Sequence, residues 1–138
     1  MWSFEYRQET SAQPDAIWRL WSDPPAWPRW DEDLEEVTID GPFEPGSTGL
    51  LKPKGMDGFG FELTRVEPGV GYTDETPLPN AVLRFEHDLV REDGRLQIVQ
   101  RVTMEGPAAN EYFDSLGKEI LLDVPGALAK LAAFAEAA

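Results

Sequence analysis

The only histidine, His87, stands in the run "LRFEHDLV", where period-two alternation puts it on one face with Phe85 and Leu89. Imidazole titrates near neutrality, so an inward His87 is a candidate general acid or base. The next apolar stripe, "RLQIVQRVTM", is broken by one polar residue, Gln100. The Asp93-Gly94 pair between the two runs is hairpin chemistry, and its register brings Leu96 opposite Arg91 and Gln100 opposite His87. A His87–Gln100 pair in an apolar wall either orients a ligand or satisfies itself by a hydrogen bond. Tyr72 and Asp74, two apart in "VGYTDET", share a face of the preceding strand. Pointed inward, they would add a phenol and a carboxyl to His87, an acid–base set suited to an aldol ring closure or a dehydration. The alternative partner for Asp74 is Arg65, which would make a purely structural ion pair.

Other chemistries are narrowed by the same residues. One histidine cannot form a histidine metal triad or pair, and the absence of cysteine removes disulfides, thiol nucleophiles and cysteine-ligated zinc. The acidic run "DEDLEEV" lacks the glycine and ligand spacing of a calcium loop and reads as a solvated face. Gly58-Phe59-Gly60 lies inside a strand pattern with no helix after it, so it is not a phosphate loop. No motif calls for a metal or a cofactor. Trp27 and Trp30, three apart in "PPAWPRW", fall on one side of a short helix, either wedged into the core or bordering a cavity.

The elements that must position these groups follow from periodicity. "WSFEYRQET" alternates as a half-buried strand. "QPDAIWRLWS" switches to helical period with Pro14 in the first turn, and a second short helix begins at Pro24, with Ser22 or Asp23 as its cap. Strand-like runs follow: "LEEVTIDG", "TGLLKPKG" (an edge strand, or bulged at Pro53), "FGFELTRVEPG", "VGYTDETPLPN", "AVLRFEHDLVRED" and "RLQIVQRVTMEG". The tail from Pro107 is helical, with Phe113, Leu116, Ile120, Val124, Leu128 and Leu131 on one seam and a kink expected at Pro125. A sheet of about seven strands with one apolar face needs a cover, and only the long tail helix is large enough. The fold class is α+β, a curved antiparallel sheet wrapped around a long C-terminal helix, with two short helices after the first strand.

Length and charge bound the partners. At 138 residues the chain reads as a single domain, residues 1–138, and its 41% hydrophobic content is that of a globular protein. A net charge of −14 disfavours nucleic acid and anionic membrane surfaces. The start "MWSFEYRQET" has no basic leader and no apolar run long enough to span a bilayer follows, so a cytoplasmic protein is expected. Oligomeric state is left open by these features.

The chain resembles the helix-grip, START-like (SRPBCC) superfamily, in its polyketide cyclase/dehydrase and lipid-transport branch. "SAQPDAIWRLWSDPPAWPRW" is similar to that branch's opening, "DGPFEPGSTGLLKPKG" to its hairpin between the second and third strands, "FEHDLVREDGRLQIVQRVTMEGP" to its last hairpin, and the tail to its gripping helix. The resemblance covers essentially the whole chain. It implies an internal cavity between the concave sheet and the long helix, entered near the short helices, and a hydrophobic small molecule as partner. Phe59, Phe61, Leu63, Phe85, Ile98, Val102 and Met104 are then expected on its sheet side. Tyr112, Phe113, Leu116 and Ile120 are expected on its helix side, with Trp27 and Trp30 at the rim. Three roles follow: binding of an apolar or aromatic molecule, catalysis of a polyketide-type cyclisation or dehydration with His87 as acid–base, or a protein-interaction module with a filled core.

Overall fold

In the computed structural model, which describes residues 1–137, seven strands form one antiparallel sheet in the order β1-β7-β6-β5-β4-β3-β2. The strands are β1 (Trp2–Thr10), β2 (Leu34–Asp40), β3 (Thr48–Pro53), β4 (Phe59–Glu67), β5 (Gly71–Leu78), β6 (Ala81–Glu92) and β7 (Arg95–Glu105). Helix α1 (Pro14–Trp21) and a 3-10 helix (Pro24–Arg29) fill the gap between β1 and β2. The tail runs from α2 (Ala109–Tyr112) through a π turn (Phe113–Gly117) into α3 (Lys118–Glu136). Among the described residues no helix is long and apolar enough to cross a membrane.

Local chemistry accounts for most of this. Asp93 and Gly94 both adopt positive φ, 51° and 77°, the conformation that closes a two-residue hairpin with the right twist. It sets the register in which Arg91 faces Leu96 and His87 faces Gln100. Pro14 and Pro24 each start a helix, where the missing N–H costs nothing. Neither Ser22 nor Asp23 caps the 3-10 helix with its side chain. The Ser22 hydroxyl instead donates back to the Trp18 carbonyl at 2.8 Å, the usual competition a serine offers after a helical turn.

Two irregularities shape the concave face. The pairing of β2 with β3 slips between Leu34 and Glu36, so Leu34 and Val37, three apart, both point inward. Strand β3 was expected to be an edge or bulged at Pro53. It lies between β2 and β4, Pro53 ends it opposite Leu34, and the bulge falls on the partner strand. A second slip, between Leu63 and Arg65, sets Val66 opposite Tyr72 and leaves Arg65 opposite Thr73. Arg65 therefore stands on the convex face, where it reaches the Thr73 hydroxyl at 3.0 Å and the Asp88 carboxylate at 2.9 Å.

The long helix is anchored at the β1 edge. The Trp2 indole donates to the Ala109 carbonyl at 2.7 Å, its ring meets Phe113 at 5.6 Å, and Gly117 lies against it. Val124, Leu128, Leu131, Ala132 and Ala135 are the buried face of α3, which packs on β1 and α1. The expected interruption at Pro125 is displaced. That residue sits on the exposed side within one helical run, where a missing hydrogen bond can be replaced by water, and the irregular turn comes earlier, at the Trp2 contact.

Gly49 marks a close approach within the sheet beside the site. A methyl group there would meet Phe61 Cζ at 2.5 Å and would also press on the Thr38 carbonyl. Gly49→Ala is therefore expected to cost about 1–3 kcal/mol by overpacking. Urea unfolding followed by tryptophan fluorescence checks it; an unchanged midpoint would mean that Phe61 does not rest on Gly49.

Candidate functional site

Because α3 covers the β1 end of the sheet, the concave face of β3–β6 is left without a helix directly on it. A cavity of about 240 Å³ occupies that space. The 3-10 helix supplies Trp27, and the residue that caps its C-terminus, Trp30, to one side. The sheet supplies Leu51, Phe59, Phe61, Tyr72, Asp74, Leu83, Phe85 and His87, and β7 adds Gln100. The helical side is one stripe, Leu116, Glu119, Ile120, Asp123, Val124 and Ala127, at the three- and four-residue spacing of a helix face.

Most residues expected at the site are brought together here: Trp27, Trp30, Phe59, Phe61, Tyr72, Asp74, Phe85, His87, Gln100, Leu116 and Ile120 all line the cavity. Leu63, Ile98, Val102 and Met104 do not. They are wholly buried in the packed core, away from the void. Phe113 turns toward Trp2, and the Tyr112 hydroxyl donates to the Pro79 carbonyl at 3.1 Å, so neither faces the cavity. The sequence reading did not place the acids of the mouth, Asp31, Asp33, Glu119 and Asp123. A signal was available for the last two, whose spacing sets them on the Leu116–Ile120 face.

The wall is an aromatic stack. Phe61 and Trp27 lie 6.1 Å apart, Trp27 and Tyr72 6.1 Å, and Tyr72 and His87 4.1 Å with planes 7° from parallel. Trp21 closes edge-on to both Tyr72 and His87. The Trp27 indole donates to the Trp21 carbonyl at 3.0 Å, tying the 3-10 helix to α1. Trp27 is thus both core and cavity wall.

Across this wall runs a polar row. Tyr72, His87, Gln100 and Tyr6 are side by side in register on β5, β6, β7 and β1. His87 and Gln100 are neighbours as expected, yet no hydrogen bond joins them: His87 Nδ1 is buried without a partner, its ring stacked on Tyr72 of the opposite neighbouring strand. Trp30 Nε1 is buried unpartnered too. Arg65 does not pair with Asp74, because the slip in β4 puts the two on opposite faces of the sheet.

Burial then sets the protonation states. It pushes the Asp74 carboxyl up to about 8, with the charge of Glu75 adding to the effect. It pushes His87 down to about 3, a fall that the Tyr72 backbone opposes and Arg65 reinforces. Tyr72 is raised well above its ordinary value by burial, then by Asp74 and Asp31. At the mouth, burial and the charges of Asp33 and Asp123 raise Asp31 to about 6, against hydrogen bonding from the Asp33 N–H and the pull of Lys130. At neutral pH the interior therefore holds a neutral imidazole and a protonated carboxyl.

Comparison with known proteins follows the same lines. The family model described as polyketide cyclase / dehydrase and lipid transport matches residues 1–136. Among solved structures, Ara h 8.0201 superposes with a TM-score of 0.78 at 13% identity, over 99% of this chain and 99% of that one. The Zhui aromatase/cyclase from Streptomyces sp. R1128 gives 0.76 at 13% identity, over 98% and 93%. Norcoclaurine synthase from Thalictrum flavum gives 0.69 at 14% identity, over 94% and 85%. At such identities the likeness is one of fold. No curated protein sequence gives a significant match.

The Asp74 shift has a signed consequence. Between its unfolded value of 3.8 and about 8 the folded state binds the extra proton, so this group's contribution to stability falls as pH rises through that window and levels off above it. Asp74→Asn removes this contribution. The melting temperature of the variant relative to the unmodified protein is expected to climb by at least ~3 °C from the bottom of the window to the top. A difference that stays flat with pH would show that Asp74 is solvated and ordinary.

Proposed function

We propose the following for this chain, which belongs to the polyketide cyclase/dehydrase and lipid-transport family: its cavity holds an apolar or aromatic small molecule between the sheet and the long helix. The observation that carries the reading is the wall itself. A void of about 240 Å³ is faced by the Phe61–Trp27–Tyr72–His87 stack and by aliphatic residues of the long helix, with two polar atoms, His87 Nδ1 and Trp30 Nε1, left without protein partners. Apolar walls with a few unsatisfied polar groups are the usual make-up of small-molecule sites. Trp27, Trp30, Phe59, Phe61, Phe85, Leu116 and Ile120 would supply contact area, and Tyr72, Asp74, His87 and Gln100 would orient the guest.

A second reading, catalysis, is favoured by one feature of the cavity: Asp74 lines it, and burial pushes its carboxyl up to about 8, so that it would carry a proton at neutral pH. In an aldol-type closure Asp74 would pass that proton to the carbonyl oxygen as the new carbon–carbon bond forms, and the neutral His87 would accept the proton lost from carbon. Two of the solved relatives are enzymes by name, an aromatase/cyclase and a synthase. His87 was expected to be the acid–base residue. Burial leaves it a weak base, so the acid role passes to Asp74 and binding stands as the first reading.

Native mass spectrometry of the purified protein, with organic extraction of whatever it carries, tests occupancy. After extraction the protein is expected to take up the neutral fluorophore N-phenyl-naphthylamine. Ala127→Phe fills the void from α3 and is expected to weaken uptake by about tenfold or more while the fold persists. A protein that neither carries nor takes up an apolar molecule, or an Ala127→Phe variant that binds as before, would refute the reading.

A further inference from the structure

The charges around the cavity are one-sided. Asp31, Asp33, Glu119 and Asp123 line it beside the protonated Asp74, and no lysine or arginine does. Three nearby lysines pair with acids outside the cavity, Lys130 with Glu32, Lys52 with Glu35, and Lys118 with Asp114 at 3.2 Å, while Lys130 also pulls on Asp31. None of those three acids lines the cavity. The acids at the mouth press on one another. Asp33 and Asp123 act on Asp31, and Asp33 and Glu119 act on Asp123, each adding to the rise that burial causes. Among the described residues no set of acids stands close enough to hold a metal ion. The excess of acid over base in the lining therefore suits a diffuse organic cation better than a metal.

We infer that the guest is an apolar amine, its protonated nitrogen at the mouth among Asp31, Asp33, Glu119 and Asp123 and its body against the Trp27–Tyr72–His87 stack. The inference rests on the binding reading above and narrows it to a charge class. Three features converge. The mouth offers negative potential at a low-dielectric boundary, which favours a cation over a neutral or anionic guest of the same shape. Aromatic residues of the lining, Trp27, Trp30 and Phe61, add cation–π attraction wherever a ring face meets the part of the charge that enters. Trp30 Nε1 and His87 Nδ1 ask for hydrogen-bonding groups on the guest's body: Trp30 is 8% exposed and His87 9%, so water does not readily serve them. An amine at the mouth would relieve the mutual repulsion of the carboxylates, a gain no neutral molecule can supply.

Three probes with one ring system separate the possibilities: naphthylmethylamine, naphthylmethanol and naphthoate, titrated calorimetrically at neutral pH and low salt. The amine is expected to bind about tenfold or more tighter than the alcohol, with the carboxylate weakest and the amine's advantage shrinking in high salt. The double variant Asp33→Asn/Asp123→Asn, at exposed positions, is expected to erode the amine's advantage about threefold or more and leave the alcohol's affinity in place. Asp31→Asn is the companion variant, since an amide oxygen can still accept the Asp33 N–H. Equal binding of the three probes, or no amine binding where N-phenyl-naphthylamine is taken up, overturns the charge inference alone. Failure of all four molecules overturns the binding reading with it.

Discussion

The structure depends on where one helix is held. A curved seven-stranded sheet presents more concave surface than a single helix can cover, and the Trp2 clamp decides which part goes covered. The indole bonds the first turn of the tail helix and its ring lies against Gly117 and Phe113, which fixes α3 over β1. Ile98, Val102 and Met104 on neighbouring β7 are accordingly packed solid. The rest of the concavity, over β3–β6, is closed only at its sides by the 3-10 helix and the Leu116–Ala127 stripe, and that geometry leaves the void. The cavity follows from a fixed helix and a curved sheet.

Once the void exists, its polar residues acquire their character from it. His87 and Asp74 are ordinary strand residues on the inward face, adjacent in the pleat to Tyr72 and Phe85. The convex face of the same strands shows the contrast. There Arg84 bridges Glu75 and Glu105, Arg101 meets Glu5, and Arg65 meets Asp88, all partly in water. Such pairs are worth about 0–1 kcal/mol each and serve mainly to keep charge solvated. Inward, no arginine follows, so burial is the largest influence on the proton balance: the carboxyl keeps its proton and the imidazole loses one. The slip in β4 is the device that keeps the two faces distinct, since an unbroken alternation would carry Arg65 to the concave side.

Much of this was legible in the residues because the deciding forces were local. The Asp93-Gly94 turn fixed the hairpin, and with it the His87–Gln100 neighbourhood, without any tertiary information. Period-two alternation placed Phe59, Phe61 and Phe85 inward, and the three-residue spacing of Trp27 and Trp30 put both on the cavity side. Three things were hidden. Which inward residues meet packing and which meet void depends on the lateral position of α3, a contact between the two ends of the chain. Whether Tyr72 or Gln100 would engage the His87 ring depends on stacking across β5 and β6, not on pairing potential. The slips in β2 and β4 change the face of every later residue, and neither glycine nor proline marks them in the sequence.

The acidic run after the 3-10 helix shows how such a slip turns composition into a site. As a string, "DEDLEEV" is a uniform block of charge, and a uniform block belongs on a solvated face. Folded, it divides. Leu34 is pulled inward, the bulge before Glu36 rotates the strand, and Glu32 and Glu35 swing out to meet Lys130 and Lys52. Asp31 and Asp33 are left facing the cavity, held in place where the Asp31 Oδ1 accepts the Asp33 N–H at 3.1 Å. The helix repeats the division one face at a time: Asp114 takes Lys118, while Glu119 and Asp123 share the seam with Ile120 and Val124. In a chain of net charge −14, Lys130, Lys52 and Lys118 pair with outer acids, and Asp31, Asp33, Glu119 and Asp123 collect along the cavity between aromatic rings.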